Sequence, residues 1–451
     1  VKKRYIVLIV IGSFLVLLFG AATYVYFWGT RFAGDLTEMG EKIPQPAGTL
    51  TPLRATPEDI ATAWASWQGP SGDDRSPIKG IRKDWSKGLK KLWEVKYLCH
   101  GPKSLTWSCP AILGNRLVIP GRDEDSDYLF CLDPETGRLL WKQKFLAPAD
   151  NNYGQGNRAT PAIDGERVYT YSRTGVVRCH ALYDGRLEWE FDTASLACTN
   201  AEWGSAGSPF IYRDKVIVHA GGAALAVALD KKTGALAWRG APGAGGYSTP
   251  VLSSTTGADQ LILFYEKGVR ALDPQTGLTA WDLPRWPDVT TLNITTPVLH
   301  QDLVFVSGYF NVGALLLRVE KDGPRVCWQN KSIEAYQTNP VILDGYLYSY
   351  SGYAGQNAKS FVCLDLANGR KMWETNRIGN GTTIVADGHL VCQDLKGNLF
   401  LVKPNPKQFE LVTEFRGALP GVDKNVWTKP VIAGDNIYLR YCHRLLCYRL
   451  K

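Results

Sequence analysis

Seven side chains stand at two fixed distances ahead of a recurring proline, and their types suit them to hold a ligand. One residue before the proline are Asn339 and Lys429. Three residues before it, or before the matching slot, are Arg158, Tyr247, Gln337, Asn380 and Trp427. A guanidinium and an ammonium meet carboxylate or carbonyl oxygens, amides donate and accept at once, and indole and phenol rings cover flat faces. The complete nearer register reads Cys109, Thr160, Ser208, Thr249, Thr296, Asn339, Thr382 and Lys429. The farther one reads Trp107, Arg158, Ala206, Tyr247, Ile294, Gln337, Asn380 and Trp427. Neither contains Asp or Glu, so these positions offer no general base and no hard-metal ligand. No catalytic residue and no metal ligand is expected.

Other constellations are weaker. Asp123-Glu124-Asp125-Ser126-Asp127 alternates carboxylates as a calcium loop does, but Tyr128 occupies the place of the turn glycine and Pro134 that of the closing glutamate; a solvated acidic loop is expected. The six histidines show no paired ligand spacing, and no nucleophile elbow or phosphate loop is present. A second surface is expected from polar and aromatic loops: Asn152 and Tyr153, Trp203, Tyr309 and Asn311, and Tyr353. Tyr, Trp and Asn are favoured where proteins meet partners. Of the ten cysteines, Cys131, Cys179, Cys363 and Cys447 recur at one place in a strand pattern, as small packing residues do. Cys99–Cys109 is the first candidate for a disulfide, and there is no Cys-x-x-Cys.

The elements that must position these groups form a repeat. Leu132-Asp133-Pro134-Glu135-Thr136-Gly137 followed by Trp141 returns at Leu229–Trp238, at Leu272–Trp281 and, more loosely, at Leu182–Trp189 and Leu364–Trp373. A period near 45 residues signals stacked copies of one small unit. Each unit reads as four short strands; in the second they are 160–163, 167–172, 176–182 and 187–191. Asp bonds local amides in the last turn, and Gly takes its left-handed position. The tryptophans, Trp93, Trp141, Trp189, Trp238, Trp281, Trp328 and Trp373, are flat side chains suited to the wedge between sheets, provided each indole N–H finds an acceptor. Openings fall at Pro110, Pro161, Pro209, Pro250, Pro297, Pro340 and Pro430, with Thr382-Thr383-Ile384-Val385 in the eighth slot without proline. The last unit never reaches a Trp of its own, while Gly88–Glu94 is a closing strand with no opening before it. An all-β, eight-bladed β-propeller is expected, closed by an N-terminal strand added to the last unit, which removes its sheet edge.

The Asp-x-x-Thr-Gly-x-x-x-Trp signature resembles the tryptophan-docking motif of the pyrroloquinoline-quinone (PQQ) repeat propellers, over about residues 85–451. That superfamily includes quinoprotein alcohol dehydrogenases and a cofactor-free propeller lipoprotein of outer-membrane β-barrel assembly. The resemblance implies the fold; a fold alone does not fix a function. A dehydrogenase of this kind needs Ca²⁺ held by carboxylate and amide oxygens, an Asp base and, in the alcohol dehydrogenases, a vicinal disulfide. The axial registers lack the acids, and Cys-Cys occurs nowhere. No cofactor is expected; PQQ with Ca²⁺ is the alternative. There is no lipobox, unlike the assembly lipoprotein.

Residues 5–28 carry no charge and follow Lys2-Lys3-Arg4, long enough to span a bilayer as a helix with its N-terminus inside. A cleaved signal peptide is the rival; the aromatic run Tyr24-Val25-Tyr26-Phe27-Trp28 suits an interfacial belt and favours an anchor. The expected organisation is a cytoplasmic stub and anchor at 1–31, a linker and strap at 32–84, and the propeller at 85–451. Trp67-Gln68-Gly69-Pro70-Ser71-Gly72-Asp73 is read as a strap beneath the ring. Half of the formal charge of +8 sits at Lys2, Lys3, Arg4 and Arg31. No basic face remains for nucleic acid. The sequence therefore points to a monomer anchored in a bacterial inner membrane, its propeller in the periplasm, binding an envelope protein or glycan without catalysis. A quinoprotein oxidoreductase and an outer-membrane assembly factor are the alternatives.

Overall fold

The computed structural model describes residues 40–46, 48, 50–101, 104–148, 154–285, 293–308, 312–352 and 360–451. They form eight antiparallel sheets, each of four strands before one addition described below. Blades 1 to 7 span 111–146, 162–192, 210–239, 251–284, 298–330, 341–375 and 381–415. Blade 8 takes three strands from the C-terminus and its outermost strand, Lys90–Val95, from the N-terminal side; Trp93 lies opposite Cys447. The expected strand closure is what the sheet order shows. In the second blade the strands are Ala162–Asp164, Arg167–Tyr171, Val176–Ala181 and Leu187–Asp192, within two residues of the expected bounds.

The innermost strand is three residues long in seven blades and six, Gly381–Ala386, in blade 7. Blade 7 is the one whose opening lacks proline. A proline has no N–H to give the ladder, and without one the pairing continues from Ala386 opposite His389 up to Gly381 opposite Asp394.

The blades are joined by tryptophan docked on glycine. Trp93, Trp141, Trp189, Trp238 and Trp328 lie against the turn glycine of the next blade. A Cβ built on Gly137, Gly185, Gly234, Gly277 or Gly369 would fall 2.4–2.8 Å from the indole. These glycines also hold φ of 71–76°, so both space and backbone demand Gly. The indole N–H donates to a carbonyl of that neighbouring turn: Trp93 to Pro134, Trp141 to Leu182, Trp189 to Lys231, Trp238 to Pro274, Trp328 to Leu366 and Trp373 to Asn405, at 2.7–3.3 Å. Trp281 departs from the pattern and donates to Gln260 Oε1 of its own blade at 2.6 Å. Its neighbour, blade 5, joins Gly313–Glu320 to Gly323–Asn330 by a tight turn, which removes the usual acceptor. Phe415 takes the eighth position, with Gly88 against its ring.

The seam between blades 8 and 1 has its own fastening. Arg440, 1% exposed, donates to Ser108 O, Ser108 Oγ and Pro120 O at 2.6–2.8 Å.

All ten cysteines are free thiols. The Cys99–Cys109 bridge does not form: Cys99 Sγ turns to Thr106 Oγ1 and Cys109 Sγ to Lys429 O. The acidic loop is also corrected, being solvated only in part. Asp127 is 4% exposed, lies in a strand and pairs with Arg122 at 2.8 Å. Asp123 accepts from Tyr128 Oη and Lys144 Nζ. Residues 5–28, the expected anchor, lie outside the described residues, among which no helix is long and apolar enough to cross a membrane.

Candidate functional site

The N-terminal segment runs from one face of the ring to the other before it joins blade 8. Glu41 donates its N–H to Lys96 O, and Lys142 of the outermost strand of blade 1 reaches Pro44 O. On the opposite face Asn115 and Arg116 hold Pro52 O and Thr51 O. A five-residue helix, Pro57–Ala61, follows, opened by a capping box between Thr56 and Asp59. The chain then crosses beneath the ring. Trp64 pairs with Ile112 of blade 1, Ala65 O accepts from Ile163 N of blade 2, and Arg75-Ser76 adds a parallel strand to Val385-Ala386 of blade 7. Blade 7, with its long innermost strand, thereby becomes five-stranded.

Between these anchor points the strap enters the axis. Trp67 Nε1 donates to Thr296 Oγ1 at 2.8 Å. Asp74, 1% exposed, accepts from Lys429 Nζ and, at 3.1 Å, from Asn339 Nδ2. The Lys429 ammonium also lies 3.8 Å from the Trp67 ring centroid, a cation–π contact. Lys429 and Asn339 were expected at an open funnel mouth. That placement is corrected: both face the strap and are 3% and 7% exposed. A charge this deep requires a counter-charge, and the strap supplies the carboxylate that the axial registers lack.

Side chains of the nearer register link neighbouring blades at four places. Thr160 Oγ1 accepts from Cys109 N, Ser208 Oγ from Thr160 N, Thr249 Oγ1 from Ser208 N, and Asn339 Oδ1 from Thr296 N, at 2.9–3.1 Å. Each satisfies a backbone N–H of the preceding blade that would otherwise be buried without a partner. These side chains fasten the ring.

The farther register behaves differently and marks the face opposite the strap. Trp107 and Trp427 meet at 5.0 Å between centroids, and Arg158 lies 5.1 Å over Trp107 while donating to Gly154 O and Gly156 O. Tyr247 stacks on Trp203 at 5.7 Å, and burial pushes its hydroxyl up to about 12. Gln337, Asn380 and Trp427 come together on one shallow pocket with Tyr336, Gly381, Thr382, Leu395 and Val426. Asn380 Nδ2 donates to Gly352 O at 2.7 Å. The expected mouth residues thus separate into two aromatic groups, Trp107–Trp427–Arg158 and Trp203–Tyr247. Of the loop surface, Trp203 is described; Asn152, Tyr153, Tyr309, Asn311 and Tyr353 lie outside the described residues. Asp74 was missed, although a lysine at an axial position was a signal that an acid must come from elsewhere.

Eight sheets closed by a shared last blade, with tryptophans docked on turn glycines, define a propeller of the PQQ-repeat class. The chain belongs to the family described as outer membrane protein assembly factor BamB, whose model matches residues 85–227 and 125–375. Among curated proteins nothing matches. Among solved structures, BamB from Moraxella catarrhalis is similar at 16% identity and a TM-score of 0.57, covering 80% of this chain and 98% of that one. The quinohemoprotein alcohol dehydrogenase from Comamonas testosteroni is similar at 12% identity and a TM-score of 0.65, covering 86% and 80%. A europium-containing methanol dehydrogenase gives 12% and 0.61, covering 84% and 89%. At such identities the likeness shows the fold alone.

The residues at this axis do not fit a calcium-bound quinone. Asp74, a carboxylate that reaches it, is bound to an ammonium and an amide, and the indole of Trp67 lies beside the ammonium. Among the described residues no three His, Cys, Asp or Glu side chains converge as metal ligands.

Proposed function

We propose that this chain is a non-catalytic binding module, tethered to the inner membrane with its propeller outside the cytoplasm, whose mouth holds an envelope glycan or protein segment. The observation that carries the reading is the division of labour along the axis. Polar groups at the strap end are consumed by Asp74, Lys429, Asn339 and Trp67. The opposite mouth keeps half-buried Trp107, Arg158, Trp203, Tyr247, Gln337 and Trp427. Half-buried aromatics and amides, of which Gln337 and Trp427 line a shallow concavity, suit recognition. The test is capture of envelope fractions, glycan and protein separately, by full-length protein and by an Arg158→Ala/Trp203→Ala/Gln337→Ala variant. Loss of one fraction with the variant supports the module; equal capture removes the mouth from it.

A second reading has its own support in the family description, outer membrane protein assembly factor. On that reading the partner is a β-barrel assembly complex, and the full-length chain co-purifies with one. Absence of barrel-assembly subunits from a crosslinked preparation would set it aside.

A further inference from the structure

Residues 79–91, between the strap and the outermost strand of blade 8, carry six Lys or Arg and one acid, Asp84. These cations come singly or in pairs, so no long basic run marks them. The expectation that no basic face remains is corrected at this one place. Ile78, Ile81, Trp85 and Leu89 are buried in the core shared with blades 7 and 8, which turns the cations between them outward. The backbone is fixed as well. Arg82 N donates to Leu450 O at 2.8 Å, Trp85 N to Thr413 Oγ1 at 2.9 Å and Gly88 N to Trp85 O at 2.8 Å. Both ends of the segment meet the end of the last strand. A Cβ on Gly80 would lie 3.9 Å from Lys451 Cε, and Lys90 stands opposite Arg449. The cations are therefore gathered on one ordered surface.

Only part of this charge is matched. Lys83 pairs with Asp387, Lys91 with Glu94 and Arg449 with Asp435, at 2.9–3.2 Å. Asp84 accepts from Ser86 N and Oγ. Among the described residues Lys79, Arg82, Lys87 and Lys90, all exposed, enter no ion pair. Three of the four are lysines, point charges on flexible stems, which suit many mobile anions better than one fixed group. A layer of anionic headgroups is such a partner, and each cation near it favours contact about fivefold.

The tether supplies the proximity. Glu41 N donates to Lys96 O at 2.8 Å, just past the far end of the strand Lys90–Val95. Six residues of strand cover about 20 Å, and residues 29–39 can span at most about 40 Å. An anchor ending at Trp28 thus leaves the cations within reach of the bilayer that it enters.

We propose that the strap-side rim of blade 8 rests on anionic phospholipid headgroups through Lys79, Arg82, Lys87 and Lys90, so that the mouth on the opposite face points away from the bilayer. The inference rests on the tethered-module reading and gives the module its orientation.

The experiment is pulse acetylation of the full-length protein in nanodiscs by uncharged N-hydroxysuccinimidyl acetate, read lysine by lysine by mass spectrometry. The discs are phosphatidylcholine alone or mixed with phosphatidylglycerol. Labelling of Lys79, Lys87 and Lys90 is expected to be about fivefold slower in the mixed discs. Lys232 of blade 3 and Lys424, in the loop that leads to Trp427, should label alike in both. About 1 M salt, which screens charges beyond about 3 Å, should abolish the difference. In an Arg82→Glu/Lys87→Glu/Lys90→Glu variant, Lys79 should label equally in both discs. If that variant melts lower than the wild type, the salt reversal decides. Equal labelling of the wild type in the two discs overturns the proposal, as does equal slowing at Lys232 or Lys424. Protection by added duplex DNA but not by phosphatidylglycerol would assign the patch to nucleic acid instead. A chain that does not stay in phosphatidylcholine discs removes the tether and this inference with it. If the chain stays and labelling does not differ, this inference alone falls and the tethered module stands.

Discussion

Lys429 and Asp74, 355 residues apart in sequence, form an ion pair at the propeller axis with side chains 3% and 1% exposed. The pair joins blade 8 to the strap, and Asn339 of blade 6 adds a third point through its amide. Removing one member of such a pair strands the other charge in a dry site, which costs about 3–5 kcal/mol. Asp74→Asn is expected to destabilise by that amount in urea denaturation. Asp74→Asn with Lys429→Met is expected to recover most of it, because no charge is then stranded. A double variant as weak as the single one would show that the pair does not fasten the strap.

The docking of Gly185 under Trp141 predicts a difference between two glycines of one blade. Both have positive φ, but a Cβ on Gly185 would fall 2.5 Å from the Trp141 ring, whereas one on Gly165 meets nothing within 4 Å. Gly165→Ala bears only the backbone cost of the left-handed region, about 1–2 kcal/mol. Gly185→Ala adds overpacking of about 1–3 kcal/mol. Urea midpoints should therefore fall further for Gly185→Ala; equal midpoints would mean that the ring does not dock where described.

His219 sets a pH dependence. Its Nδ1 lies 3.0 Å from Ser248 O and its Nε2 accepts from Gly246 N at 3.2 Å, which requires the neutral ring. Burial pulls its pKa from 6.5 down to about 4, against the smaller opposing effect of the Ser248 bond. The folded state thus resists a proton that the unfolded chain takes up near 6.5. The stability this neutral ring confers is complete above that pH and is lost as pH falls toward 4, by on the order of 3 kcal/mol. The free-energy advantage of the wild type over His219→Gln should shrink between pH 7 and pH 4.5. A difference that stays constant would contradict the assignment.

The thiols predict a labelling pattern. Cys198 and Cys327 are half-buried and the other eight are buried. In the buried group desolvation dominates and pushes the Cys392 and Cys447 thiols up to about 12, and the thiolate is the reactive form. Maleimide under native conditions should reach at most Cys198 and Cys327, and all ten after denaturation without reductant. A native adduct at Cys99 or Cys109, or fewer than ten adducts in denaturant, would refute this.

The ring was legible from periodicity because most blades repeat one local rule: a proline before the innermost strand, a glycine in the last turn, a tryptophan after it. Even the exception at Thr382 was visible as a missing proline, and it corresponds to the one long innermost strand. The axial site was half legible. Arg158, Tyr247, Gln337, Asn380 and Trp427 stood out because polar and aromatic side chains recur at one fixed distance ahead of the opening slot. Their separation into two aromatic groups was not, because it depends on how loops of neighbouring blades pack. Lys429 and Asn339 were assigned to the mouth because periodicity treats a propeller as blades alone. The strap that claims them is outside the repeat, and a contact across 355 positions leaves no local pattern.

The strand Lys90–Val95 finds its hydrogen-bonding partner in Arg444–Arg449. Read in time, this means that a segment made early stays unpaired until residues 444–449 have emerged. The strap has the same schedule, since Asp74 waits for Lys429 and Arg75-Ser76 waits for Val385-Ala386. Loop closure over such separations carries a slowly growing entropic cost, and the ring cannot seal until residues 429 and 444–449 are available. A chain truncated by ribosome stalling before residue 429 would leave the strand Lys90–Val95 without its partner and Asp74 without its counter-charge.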